Sequence, residues 1–140
     1  MKRLFVIQEH NANRAGLHWD IRFESYGELD TYDSKRPKTN EPKGSTEKRV
    51  LRSFVIPKHH LPEEGERLLV IPTEDHPWEY QDFDGEIKQG YGKGAVKLIH
   101  CGEIEVVDFL PTKVKFVYND ILYALYKAGR MWLISRKIKE

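Results

Sequence analysis

The chain has 140 residues, of which 39% are hydrophobic and 32% charged, and a formal net charge of +1. That length supports one packed domain over 1–140 with a sizeable core. The charge balance excludes a global basic field, so any contact with nucleic acid has to come from a local patch. Cys101 is the only cysteine, which excludes an internal disulfide and fits a reducing cytoplasm. No segment approaches the ~20 apolar residues of a membrane span. The apolar run after Met1-Lys2-Arg3 ends at Ile7, too early for a signal peptide.

Taken in order, Leu4 to Gln8 reads as a first strand, and Glu9 to Gly16, polar with two Asn and a Gly, as a loop carrying His10. Leu17-His18-Trp19-Asp20-Ile21-Arg22-Phe23-Glu24 alternates without a break, the period of a half-buried strand. Tyr26-Gly27-Glu28 is a turn signal. From Asp30 to Arg49 large apolar residues almost vanish, and this stretch reads as a mobile surface loop. Val50–Ile56 and Arg67–Ile71 are strands, each stopped by a proline, with a turn or short helical turn between Leu61 and Glu66. Thr73 to Phe83 reads as a loop and Asp84-Gly85 as a turn. Strands follow at Ala95–Ile99, Glu103–Phe109, Lys113–Tyr118, Leu122–Tyr126 and Met131–Arg136, with turns at Cys101-Gly102, Asn119-Asp120 and Ala128-Gly129. Short strands with turn signals every ten or so residues, and no long 3.6-residue period, predict an all-β fold. It is a closed or nearly closed barrel of about eight strands with one or two short helical turns, or else a sandwich.

The polar face of Leu17–Glu24 carries an imidazole, a carboxylate and a guanidinium in a row. With His10, the His18 and Asp20 side chains make a sufficient set for a divalent metal that keeps open positions; mixed nitrogen and oxygen donors suit Mn²⁺ or Zn²⁺. Arg22 beyond them can grip a phosphate. The plain alternative is a loop histidine beside a surface His–Asp pair. Glu74-Asp75-His76-Pro77-Trp78-Glu79-Tyr80 is a second cluster. His76 can give a proton or a hydrogen bond to a phosphate oxygen, and Tyr80 can donate through its phenol; an acidic loop pinned by Pro77 and Trp78 is the alternative. Gly90-Tyr91-Gly92-Lys93-Gly94 lacks the ending of a phosphate-binding loop, and its glycines fit a tight turn or a bulge.

These residues resemble the 3′-phosphoesterase module of bacterial DNA ligase D and its stand-alone relatives. The resemblance runs through Phe5–His10, Leu17–Glu24, Leu51–Lys58, Arg67-Leu68, Glu74–Tyr80, Phe83–Ile87, Gly90–Val96 and Trp132–Lys137, in order over nearly the whole chain. It implies a compact β barrel that heals 3′ ends of nucleic acids with manganese (Co²⁺ or Zn²⁺ being other divalent candidates). A phosphodiesterase step removes a 3′-terminal ribonucleoside, and a phosphomonoesterase step then leaves a 3′-hydroxyl on a primer–template end for a DNA ligase or polymerase. By matching position, His10, His18 and Asp20 would hold the metal. Arg22, His76 and Tyr80 would surround the scissile phosphate, with Lys58, Arg67 and Glu74 in support. The chain departs from the family pattern in a longer stretch between His10 and His18, an insertion at Asp30–Arg49 and a shorter stretch before Gly90.

Two other functions fit the same residues. One is a non-catalytic module that binds nucleic-acid ends beside a ligase or polymerase. The other is a metal-dependent hydrolase of small phosphoesters.

Overall fold

The computed structural model describes residues 1–14, 16–26, 49–88 and 93–137, and most of them lie in strands. The strands are β1 (Lys2–Ala12), β2 (Gly16–Ser25), β3 (Val50–Ile56), β4 (Arg67–Pro77), β5 (Gly85–Ile87), β6 (Gly94–Leu110), β7 (Lys113–Tyr118), β8 (Ile121–Ala128) and β9 (Met131–Arg136). A 3₁₀ turn spans Trp78–Asp82. The order is β1-β2-β3-β4-β9-β8-β7-β6, and β1 also pairs with β6, so eight antiparallel strands close into a barrel with β5 added beside β6. Closure removes both sheet edges and decides for the barrel over the sandwich.

Alternation on each strand fills the interior. Phe5 and Ile7 of β1 lie opposite Phe23 and Ile21 of β2, and Phe54 of β3 lies opposite Ile21. All five are fully buried and join Phe109, Val114, Phe116, Leu125, Trp132 and Ile134 in one core. Directly opposed residues share a face. The other face of β1 and β2 is therefore set by the same register, with His10 opposite His18, Gln8 opposite Asp20 and Val6 opposite Arg22.

The structure corrects several local expectations. Glu9 to Ala12 is strand, not loop, because it pairs with β2 on one side and β6 on the other. His10 thus sits on β1. The β6 backbone comes close there: a side chain at Gly94, whose φ is +154°, would meet the Asn11 carbonyl oxygen. Only glycine admits that approach. β4 runs through Pro72 to Pro77, and the helical turn forms at Trp78–Asp82 rather than between Leu61 and Glu66. Cys101-Gly102 is not a turn. β6 passes through it, and the irregularity is a bulge where Ile7 faces His100 and Gln8 faces Leu98, leaving Ile99 as the extra residue. Asn119 and Asp120 do form a turn, both with positive φ, as a two-residue hairpin requires. Residues 30–48 of the proposed loop, and residues 89–92, lie outside the described residues. No helix among the described residues is long and apolar enough to cross a membrane.

Candidate active site

The site is built on the outward face of β1, β2, β3 and β4. Strand alternation places Gln8 and His10 on β1 and His18, Asp20 and Arg22 on β2; all five are buried despite lying on the outer side of the barrel wall. The Trp78–Asp82 turn and the residues after it are tied down over this face by Gln8, whose Nε2 donates to the carbonyl oxygens of Tyr80 (3.0 Å) and Phe83 (3.1 Å). His76 arrives from β4 opposite Leu51.

Asp20 is the centre. Its Oδ1 lies 3.4 Å from His18 Nε2, and its Oδ2 lies 3.6 Å from His10 Nδ1 and 3.4 Å from Arg22 Nη2. The candidate ligand atoms of His10, His18 and Asp20 fall within 4.8 Å of one another. His18 Nδ1 sits 3.2 Å from the Gly16 carbonyl oxygen. A proton on Nδ1 makes that contact a hydrogen bond and turns the bare Nε2 toward the Asp20 carboxylate. Two electron-rich atoms then face each other, an arrangement that a cation between them stabilises. The donor set of two imidazoles and one carboxylate therefore fits a divalent metal by its own chemistry. Burial acts to raise the Asp20 carboxyl, but when the His18 proton sits on Nε2 instead, hydrogen bonds from His10 and His18 and the charge of Arg22 outweigh burial and hold the group well below the ordinary carboxylate range.

Arg22 continues the row. Its Nε donates to Gln8 Oε1 at 2.7 Å, its Nη2 reaches Asp20, and its Nη1 lies 3.2 Å from His76 Nδ1. Three of a guanidinium's five N–H donors are engaged, which leaves two for an anion. Tyr80 covers the group, with its ring centroid 5.1 Å from Arg22 Cζ and 5.4 Å from the His76 ring. Burial, opposed by the Arg22 charge, raises the Tyr80 phenol, so it remains a donor at neutral pH. Burial and the Arg22 charge push His76 down to about 4. The neutral ring has one Nδ1 and two claimants for it, Arg22 Nη1 and the Glu74 carbonyl oxygen at 3.0 Å. Arg22 can only donate, so its bond to Nδ1 requires the tautomer that carries the proton on Nε2.

The structure thus brings together His10, His18, Asp20, Arg22, His76 and Tyr80. Glu74 contributes its carbonyl, while its side chain is exposed. Lys58, just beyond β3, and Arg67, at the start of β4, are exposed. Among the described residues no hydrogen bond or ion pair links either to the cluster. Sequence reasoning misses Gln8. The available signal is one amide in an apolar strand, two residues before His10 and so on the same face.

A family profile described as the DNA ligase D 3′-phosphoesterase domain matches residues 45–131. The chain belongs to that family. The matched span holds Lys58, Arg67, Glu74, His76 and Tyr80, and β1 and β2 precede it. Among relatives, the multifunctional non-homologous end joining protein LigD of Mycolicibacterium smegmatis is 39% identical over 107 residues, 75% of this chain and 11% of that protein. The end joining DNA repair protein LigD of Mycobacterium tuberculosis is 35% identical over 106 residues, and LigD of Pseudomonas aeruginosa 32% identical over 93. The chain spans about a tenth of the length of these relatives.

Proposed function

We propose that this 3′-phosphoesterase family member is a manganese-dependent enzyme that heals 3′ ends of nucleic acids. It removes a terminal 3′ ribonucleoside by phosphodiester hydrolysis and then the remaining 3′-phosphate, leaving a hydroxyl. The relatives are end joining proteins by name, so DNA ends awaiting a ligase or polymerase are the fitting substrate.

One observation carries the reading: the Asp20 carboxylate is shared, with Oδ1 beside His18 and Oδ2 beside both His10 and Arg22. A cation site and an anion site therefore abut at one residue. A phosphodiester resists attack because its oxygens repel a nucleophile, and catalysis requires that charge to be offset as it grows. A divalent ion held by His10, His18 and Asp20 supplies Lewis-acid stabilisation when bound. The rest falls to the chain. Arg22 directs its two remaining N–H donors at the phosphoryl oxygens. His76, neutral at physiological pH, donates through Nε2, which makes it a hydrogen-bond donor to the phosphate in preference to a general acid. Tyr80 donates its phenolic proton. The burial of Gln8, Asp20 and Arg22 keeps water from screening these contacts.

The test is a primer–template ending in one 3′ ribonucleotide, incubated with and without Mn²⁺. Successive loss of the nucleoside and the phosphate is expected. Binding without turnover would instead make the chain an end-binding module. Turnover of a small phosphoester alone would make it a general phosphoesterase.

A further inference from the structure

β3 and β4 carry an irregularity directly beside the site. Ser53 lies opposite Thr73 and Leu51 opposite His76, so two steps along β3 are matched by three along β4. Glu74 and Asp75 together face Arg52. The extra residue changes which side of the wall the chain presents. Leu68 and Val70 belong to the core, and strict alternation from them would turn Glu74 and His76 inward. The bulge instead places His76 on the outer face with Arg22. Re-aiming a side chain is a recurrent use of bulges next to active sites.

Arg52 occupies the inner side of this bulge. It lies opposite Phe23 and is fully buried. Its Nη2 donates to the carbonyl oxygens of Leu110 (2.8 Å) and Pro111 (3.1 Å), and its guanidinium lies over the rings of Phe109 and Phe54. It is thereby anchored to the connection between β6 and β7. One Asp75 carboxylate oxygen is also buried, and the Asp75 charge acts on Arg52. A one-residue slip that turned His76 inward would move the part-buried Asp75 carboxylate away from the fully buried guanidinium whose charge it offsets.

We propose that Arg52 and Asp75 are positioning residues, which fix the β4 bulge from inside the barrel so that His76 faces Arg22 outside it. The inference rests on His76 acting at the substrate phosphate. Its test is a double-mutant cycle in the full chain, with Asp75→Asn made alone and on top of His76→Ala. Turnover of the primer–template at saturating Mn²⁺ should fall about tenfold or more in Asp75→Asn, as a misplaced group entails. The same change should cost less than about twofold once His76 is gone. Mn²⁺ binding followed by electron paramagnetic resonance should be unchanged. Full turnover in Asp75→Asn, or an equal loss in both backgrounds, would overturn the proposal. Arg52→Lys, which keeps the charge but not the forked contacts, carries the same cycle if Asp75→Asn does not fold. A histidine-ring ¹⁵N–¹H correlation spectrum separates this inference from the phosphoesterase reading. Displaced His76 resonances in Asp75→Asn support positioning even if the wild type turns over no primer, and unmoved resonances refute it.

Discussion

Arg22 and Gln8 lock each other on the outer wall of the barrel, guanidinium Nε to amide oxygen at 2.7 Å, from neighbouring strands. The other end of the same amide holds the backbone of Tyr80 and Phe83. One buried side chain thus sets both the Arg22 guanidinium and the segment that covers it. Such support determines whether a site is held tightly enough for catalysis.

Gln8→Ala should therefore damage activity without touching a ligand. The substitution leaves one buried guanidinium donor and the Phe83 carbonyl without the amide, while the Tyr80 carbonyl keeps the Phe83 N–H, a loss of about 1–3 kcal/mol in stability for each buried group left unsatisfied. Turnover should drop about a hundredfold while Mn²⁺ affinity holds. Steady-state kinetics beside a metal titration will check this; equal losses in both would place Gln8 in the metal site instead.

Arg22→Lys should behave as a drastic change. A lysine offers one point charge where Gln8, Asp20 and His76 are reached by three different nitrogens. Turnover should fall about a hundredfold or more, in line with the loss of an aligned oxyanion donor. Wild-type rates in a folded Arg22→Lys protein would remove Arg22 from the phosphate site.

The fold is legible because nearly every strand obeys a period of two. Lys113–Tyr118 and Met131–Arg136 can be read to the residue, and the number and spacing of such strands give a barrel or a sandwich, which the β1–β6 pairing decides for the barrel. Local signals mislead where pairing overrides them. Asn11 and Ala12 extend β1 because β6 lies against them at Gly94, and Gly102 stays in a strand because the bulge at Ile99 absorbs the irregularity. Pro72 fails as a stop because β4 continues opposite Phe54. His18, Asp20 and Arg22 can be grouped from one strand's alternation. Their neighbours His76 and Gln8 depend on long-range register, and the bulge that turns His76 outward leaves no mark in the sequence.

Stability should depend on pH through His76. Burial and the Arg22 charge hold its imidazole at about 4, against an ordinary 6.5. The unfolded chain therefore takes up the proton first. The contribution is complete above pH 6.5 and is lost as the pH falls from 6.5 toward 4, on the order of 3 kcal/mol in all. Urea unfolding of the metal-free protein across that window should show a shallower decline for His76→Gln than for the wild type. Parallel curves would mean that His76 is not held neutral.

His18→Ala should abolish tight Mn²⁺ binding and leave the barrel folded, since the ring lies outside the apolar core. Asp20→Ala should do the same to the metal and also cost stability, because it strips the buried Arg22 of its carboxylate. Thermal unfolding beside electron paramagnetic resonance will separate the two effects. Undiminished Mn²⁺ affinity in either variant would refute the ligand set.

The most direct measurement is the rate of phosphate release from a primer ending in a 3′-phosphate, with Mn²⁺ titrated against the wild type and Asp20→Ala. A shared carboxylate between cation and guanidinium predicts a saturable metal requirement and a loss of about a hundredfold or more in the variant. Release that needs no metal, or that survives the removal of Asp20, would contradict it.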